Sequence, residues 1–324
     1  MAVYTDVSDE ALQEFLAEYA IGSLVAFRGI AEGVENSNFQ LRTTEGDYIL
    51  TLYEKRVNAL ELPWFLGLMQ HLAREGVTCP QPVADRQGAT LKTLAGRPAA
   101  ITTFLPGVWP RTVRVEHCRP LGRALAQLHG AGRSYAPERP NALGPRAWGP
   151  LLQSCANGAD AVQPGLQAEL EHALARIVPA WPGQGTNAPL PRGQIHADLF
   201  PDNVFFLHNG VSGLIDFYFA CTDYLAYDVA ICLNAWCFQP DGAFNITFAR
   251  QMLLGYEEVR VLEDVERAAL PVLAQGAAMR FLLTRLYDWI NTPEDALVTP
   301  KNPLDYLKRL RFHLATQSVG GYGL

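Results

Sequence analysis

Hydrophobic and polar positions change period several times along the chain, and each change marks an element. Leu12, Phe15, Leu16 and Tyr19 share one face of a helix predicted over Ser8 to Tyr19, with Ser8 placed to cap it and Gly22 to stop it. From Ser23 the pattern becomes that of strands, expected over 23–30, 36–42 and 48–53 and joined by polar turns at 31–35 and 43–47, an antiparallel meander. Pro63 opens a helix whose Phe65, Leu66, Met69 and Leu72 form an apolar face ending near Gly76. Two further strands, 90–94 and 98–104, flank the turn Ala95-Gly96. The remainder reads as mainly helical: 121–129, a Gly- and Pro-rich stretch over 130–164 with one helix, then a longer helix marked by Leu166, Leu170, Leu174, Ile177 and Val178. A Pro/Gly-rich loop at 179–191 leads into a short β segment, followed by helices over 225–238, 245–256, 262–290 and 304–315, with Pro271 as a break or kink. A β-rich first third followed by helices is an α+β chain without internal repeats.

Length and charge narrow the picture. At 324 residues, 49% of them apolar, the chain is too long for one small core and suits two lobes. Its net charge of −7, without clusters of Lys and Arg, does not suit neutralising nucleic-acid phosphates. Residues 1–6 carry an acid and no long apolar run, so no signal peptide or membrane span is expected and the location is read as cytoplasmic. Cys79, Cys118, Cys155, Cys221, Cys232 and Cys237 lie apart, with no C-x-x-C pair, mostly among apolar residues. They are read as buried reduced thiols rather than zinc ligands.

The chemistry concentrates in Gly193-Gln194-Ile195-His196-Ala197-Asp198-Leu199-Phe200-Pro201-Asp202-Asn203-Val204-Phe205-Phe206, followed by Gly213-Leu214-Ile215-Asp216-Phe217. Each polar residue sits at the edge of a short apolar run, where rigid elements can hold oxygen ligands in place. One carboxylate plus one amide suits Mg²⁺, which takes hard oxygens and keeps several waters beside nucleotide phosphates. Asn203 and Asp216 match that donor set, and Asp198, five residues before Asn203, is spaced to face an acceptor hydroxyl while the amide faces the metal. A loose phosphoryl-transfer transition state needs mainly position and counter-charge, so few residues suffice. The competing reading is a β-hairpin with Asp and Asn at its turns, where those residues are favoured anyway.

Order and spacing favour the site. His196-x-Asp198 with Asn203 resembles the H-x-D-x-x-x-x-N loop of protein kinases, and Asp216 resembles the metal-binding Asp that follows it. With Pro201-Asp202-Asn203 and Ile215-Asp216-Phe217 added, the pattern is similar to that of the aminoglycoside phosphotransferase and choline kinase superfamily of small-molecule kinases. The resemblance implies a two-lobed protein-kinase-like α+β fold that uses ATP and Mg²⁺. It implies Asp198 as catalytic base, Asn203 and Asp216 as metal ligands, and His196 and Asp228 as supports of the catalytic loop. Asp228 equally fits the preference for acids early in a helix. Ile101-Thr102-Thr103-Phe104-Leu105-Pro106-Gly107 resembles the family hinge, where backbone groups at Thr103 and Phe104 meet adenine, which divides the chain into lobes 1–105 and 106–324.

For the nucleotide phosphates, the turn with Gly29 and Gly33, and Asn36, Asn38 and Phe39 beyond it, reads either as a phosphate-covering loop or as a plain turn. The family places a Lys or Arg on the third strand, where this chain has Thr51. Lys55 either reaches in from the strand end or is a solvated charge, and Glu61 is the nearest acidic partner for that cation.

For the acceptor, Arg280, Arg285 and Asp288 interrupt an apolar helix. Arg280 and Asp288, eight apart, lie near one face and offer a carboxylate and an amine each a partner, whereas Arg285 is expected to point elsewhere. An internal salt bridge is the alternative. His129 reads as a packed helix-end histidine. The blocks Tyr48 to Lys55, Glu61 to Phe65, Leu233 to Phe238 and Arg280 to Trp289 resemble the bacterial homoserine kinases of the superfamily nearly end to end. That resemblance implies phosphorylation of the L-homoserine side-chain hydroxyl, feeding threonine synthesis. A choline, ethanolamine, methylthioribose or aminoglycoside acceptor, or a silent nucleotide-binding regulator suggested by Thr51, are the alternatives; Trp236, Tyr287 and Trp289 are the aromatic faces a choline pocket needs.

Overall fold

The structure, a computed structural model, describes residues 5–30, 36–54, 58–185, 187–293, 299–316 and 318–324. It divides into two compact units, one of Met1–Gly107 with Ser212–Ile215, the other of Val108–Val211 with Asp216–Leu324.

The first unit is a sheet with helices. Helix α1 (Asp9–Ala17) begins at Ser8, whose Oγ accepts the Ala11 amide at 3.2 Å. Strands β1 (Leu24–Gly29), β2 (Asn36–Thr43) and β3 (Gly46–Tyr53) precede α2 (Leu62–Arg74), and β4 (Lys92–Leu94) and β5 (Arg97–Thr103) complete an antiparallel sheet of order β1-β2-β3-β5-β4. Alternation sorts the side chains. Phe39, Leu41, Leu50, Leu52, Leu94, Ala99 and Ile101 are buried in one cluster with Leu12, Phe15 and Leu16 of α1. Each of those three helix residues contributes about 2 kcal/mol by burial. Asn36, Asn38, Thr51, Tyr53 and Ala100 occupy the other face, with Asn38 directly opposite Thr51 and Thr51 opposite Ala100.

The second unit is mainly helical. It holds α3 (Val115–Gly132), α4 (Pro145–Cys155), α5 (Ala159–Val162), α6 (Leu166–Ala180), then β6 (Arg192–Ile195), β7 (Val204–Leu207) and the start of β8 (Gly210–Leu214), whose residues from Ser212 on belong to the first unit. After β9 (Cys221–Tyr224) come α7 (Leu225–Trp236), α8 (Ile246–Glu257), α9 (Asp264–Asn291) and α10 (Leu304–Ala315). β6 pairs with β9 and β7 with β8, so residues 196–203 link two ribbons and do not form one hairpin with turns. The Gly- and Pro-rich stretch over 130–164, expected to hold one helix, holds two: α4, on which Trp148, Leu152 and Cys155 bury one stripe, and the four-residue α5. Pro271 does not break α9, which runs through it with Leu270, Pro271 and Leu273 buried. Helix α7 is buried on nearly every side, as its almost wholly apolar sequence requires. Gly122 of α3 and Gly255 of α8 let those helices approach backbone to backbone: a Cβ at Gly122 would lie 2.0 Å from the Met252 carbonyl oxygen, and one at Gly255 2.1 Å from that of Arg119. All six cysteines are buried and free. Among the described residues no helix is long and apolar enough to cross a membrane.

Candidate active site

The segment from His196 to Asn203 has no regular structure before the short turn Pro201–Asn203, so its backbone groups need partners from elsewhere. They find them on the surrounding helices. Asp228 on α7 accepts the His196 amide on Oδ2 at 2.7 Å and the Ala197 amide on Oδ1 at 2.9 Å. The Asp198 amide donates to His196 Nδ1 at 3.3 Å. Arg280 on α9 donates from Nη1 to the Ala197 carbonyl, Asn203 donates from Nδ2 to the Asp198 carbonyl at 2.8 Å, and Trp236 Nε1 donates to the Leu199 carbonyl at 2.8 Å. Three successive carbonyls are thus tied to three different elements. Ala197 is held in left-handed backbone, φ +61°, a conformation that costs an L-residue about 1–2 kcal/mol and is offset by the bonds on both sides of it.

Asp228 is the centre of a longer buried chain. His129 Nε2 lies 3.2 Å from Asp228 Oδ2, and His129 Nδ1 lies 2.7 Å from the Tyr256 hydroxyl. Arg260 Nη1 donates to that hydroxyl at 3.0 Å and its Nη2 binds both oxygens of Glu266, at 2.9 and 2.8 Å. Glu266 also accepts the Glu263 amide at the start of α9. Burial alone would raise the Asp228 carboxyl, but the His129 hydrogen bond, the charges of His129 and His196 and the backbone donor outweigh it and hold the pKa below the ordinary carboxylate value.

Asn203 is buried at 8% exposure, and its amide nitrogen also lies 3.3 Å from Asp198 Oδ2. Committing Nδ2 to Asp198 orients the side chain so that Oδ1 is the group left to act as a ligand. Asp216 adopts left-handed backbone, φ +63°, at the entry to the turn Phe217–Phe219, whose Phe217 ring sits 4.7 Å from the His196 ring. One amide oxygen and one carboxylate fit Mg²⁺ beside nucleotide phosphates better than a full protein cage, and among the described residues no cluster of three or more His, Cys, Asp or Glu forms such a cage.

In the first unit, the strand position at which a Lys or Arg was expected holds Thr51, buried, whose hydroxyl donates to Asn38 Oδ1 at 2.7 Å. Asn36 accepts the Glu54 amide on Oδ1 at 3.3 Å and so closes the end of the sheet. Glu61 ends a 3₁₀ turn before α2, with Asn58 Nδ2 at 3.4 Å from its carboxylate. Thr103 exchanges backbone and side-chain bonds with Gln81, and the Phe104 amide reaches the Asp47 carbonyl at 3.3 Å. Gly33 and Lys55 lie outside the described residues.

Two acceptor expectations change. Trp236 is fully buried and bonded to Leu199, so it offers no face to a ligand. Arg280 is 2% exposed, held between the rings of Phe219 and Phe281 and bonded to Ala197, which makes it a support of the catalytic loop rather than a partner for a ligand carboxylate. Asp288 is half-buried in the last turns of α9.

The model of the phosphotransferase enzyme family matches residues 26–262, most of the chain. The chain belongs to this family. A homoserine kinase of Gluconacetobacter diazotrophicus is 68% identical over 324 residues, covering 100% of both chains, and one of Acidiphilium cryptum is 65% identical with the same coverage. Among solved structures, an amicoumacin kinase in complex with AMP-PNP and Ca²⁺ superposes with a TM-score of 0.68 at 15% identity, over 96% of this chain and 95% of that one. A choline kinase from Cryptosporidium parvum reaches a TM-score of 0.65 at 13% identity, over 95% and 94%. At those identities the likeness concerns the fold, which is that of the protein-kinase-like small-molecule kinases.

Within this phosphotransferase, two residues matter that sequence reasoning passed over. His129 links Asp228 to α8 as well as packing at a helix end; its position at the end of an amphipathic helix gave no sign of that. Arg285, expected to point away from the site, contributes to the field at Asp198 and stacks on Tyr306 with its guanidinium carbon 4.4 Å from the ring centre. The signal available was a second arginine in an apolar helix, five residues after Arg280, with no carboxylate four residues away on either side.

Proposed function

We propose that the protein is an ATP-dependent homoserine kinase, transferring the γ-phosphoryl group to the side-chain hydroxyl of L-homoserine to give O-phospho-L-homoserine for threonine synthesis. The observation that carries the chemistry is the pinned loop, which fixes Asp198 and Asn203 against each other through the Asn203 Nδ2 bonds at 2.8 and 3.3 Å. The substrate reading draws support from the full-length identity to curated homoserine kinases.

Asp198 orients the acceptor hydroxyl and accepts its proton as the new O–P bond forms. Asn203 Oδ1 and Asp216 would hold Mg²⁺, which supplies counter-charge to the nucleotide phosphates when bound. His196 and Asp228 act through the loop backbone, as do Arg280 and Trp236. Asn36, Asn38 and Glu61, with Gly33 and Lys55, serve the nucleotide phosphates, and the backbone at Thr103 and Phe104 meets the adenine. The Thr51–Asn38 hydrogen bond stands at the strand cation's place and leaves phosphate charge to Mg²⁺ and to groups outside that strand. A cytoplasmic setting accords with six free cysteines.

The test is ADP release from Mg-ATP with L-homoserine, choline, ethanolamine, kanamycin and methylthioribose offered separately at equal concentration. Turnover with homoserine alone is expected. Turnover with another acceptor in its place overturns the substrate assignment, and silence with all five overturns the activity.

A further inference from the structure

Among the described residues, three cations near the C-terminal half of α9 are committed to protein groups and one is not. Arg280 is bonded to Ala197, Arg309 donates from Nη1 to the Asn234 carbonyl at 2.5 Å, and Lys301 lies 3.8 Å from Asp202. Arg285 makes no hydrogen bond or ion pair with any described residue, although its side chain is half-buried. Its contact is the Tyr306 ring, at 4.4 Å, which Arg309 covers at the same distance. Tyr306 is itself fully buried and packs on Phe281 at 5.3 Å and Phe200 at 6.5 Å, so the platform under Arg285 is tied to the loop two residues beyond Asp198. A guanidinium carries five donors in a planar fork, and one that no described protein group engages keeps that fork available to a ligand.

We infer that Arg285, stacked on Tyr306, is the residue that binds the carboxylate of the acceptor and thereby selects a hydroxy-amino acid over a plain amino alcohol. The inference rests on the homoserine-kinase reading and deepens it. Four bonds separate the hydroxyl oxygen of homoserine from its carboxylate carbon, roughly 5 Å when extended, so the group that meets the carboxylate must stand close to Asp198, and Arg285 is near enough for the two charges to act on each other. A bidentate guanidinium–carboxylate pair is the fork-to-fork geometry such a site favours. Burial pulls the Arg285 pKa below its ordinary value, while Asp305 and Asp198 act against that pull. A second cation, Arg309, over the same ring adds to the positive field a carboxylate would meet, and Asp198 remains to face the hydroxyl.

The test compares L-homoserine with 3-aminopropan-1-ol, which is homoserine with hydrogen in place of the carboxylate, in the wild type and in Arg285→Gln and Arg285→Lys. The wild type should favour homoserine by at least about 100-fold in kcat/KM. Arg285→Gln should lower kcat/KM for homoserine about 100-fold, chiefly through KM, while leaving the amino alcohol and the KM for Mg-ATP within about threefold; Arg285→Lys should recover part of the loss, since a point charge lacks the fork. A ratio unmoved by Arg285→Gln, an equal loss for both acceptors, or a raised KM for ATP overturns the inference while the homoserine-kinase reading stands. A wild type inactive on homoserine overturns both.

Discussion

Replacing Asp228 with Asn asks whether a buried charge or only a shape holds the catalytic loop. The carboxylate accepts from two backbone amides at 2.7 and 2.9 Å and faces His129 Nε2 at 3.2 Å, with no exposure to water. Asparagine has the same outline but one acceptor oxygen, so its NH₂ must face one of those amides. Hydrogen bonds to a charged group are worth about 1.5–3 kcal/mol each, and removing one side of a buried charged pair costs about 3–5 kcal/mol. We expect a loss of about 4 kcal/mol, a large share of the 5–15 kcal/mol typical of a folded chain. The left-handed backbone at Ala197 loses its holder as well, so the Asp198 carboxylate should wander. Urea unfolding gives the first quantity; kcat at 15 °C, where the variant is still folded, gives the second and should fall at least about tenfold with the KM for ATP little changed. Because the folded pKa of Asp228 lies below its unfolded value near 4, its contribution is present above that pH and is lost as pH falls through the folded pKa. The stability gap between wild type and variant should therefore be constant at neutral pH and narrow below about pH 4. A variant within about 1 kcal/mol of wild type and with full kcat would refute the reasoning.

Other perturbations test other parts of the structure. Asp198→Asn should lower kcat by at least about 1,000-fold while calorimetric Mg-ATP affinity stays within a few-fold; near-normal turnover would remove it from the role of base. Gly122→Ala places a Cβ on the Met252 carbonyl, where backbone cannot give way cheaply, and should cost about 3 kcal/mol, read as a melting temperature lower by roughly 6 °C; an unchanged melting point would mean α3 and α8 slide apart freely. His313 is fully buried, and burial together with Arg309 pushes its pKa down to about 3. The unfolded chain takes up that proton below about pH 6.5 and the folded one does not, so stability should fall with pH by about 2 kcal/mol between pH 6.5 and 5; equal slopes in wild type and His313→Gln would contradict this. Trp236→Phe keeps the ring but leaves the Leu199 carbonyl without its donor, and should lower both stability, by about 1–2 kcal/mol, and kcat, with acceptor selectivity unchanged.

Local order made much of this protein legible before any coordinates. The period-two alternation of Leu50 and Leu52 against Thr51 and Tyr53 determined which strand faces reach the core, and the spacing of His196, Asp198, Asn203 and Asp216 identified phosphoryl-transfer chemistry. Those features act over a few residues, where backbone geometry ties sequence interval to direction. The continuity of α9 through Pro271 and the second helix within 130–164 escaped that logic, since burial against distant neighbours outweighed local punctuation. The acceptor side was the least legible. A helical wheel shows that Arg280 and Asp288 share a face, but not which face meets the catalytic loop. Only the tertiary structure turned Arg280 and Trp236 inward onto Ala197 and Leu199, joined His129 to Asp228, and left Arg285 on its aromatic platform with no hydrogen-bond or ion-pair partner among the described residues. Whether an arginine supports a loop or awaits a ligand depends on which carbonyls and carboxylates, tens or hundreds of residues away in sequence, come within hydrogen-bond reach of its fork, and that is decided by packing rather than by spacing.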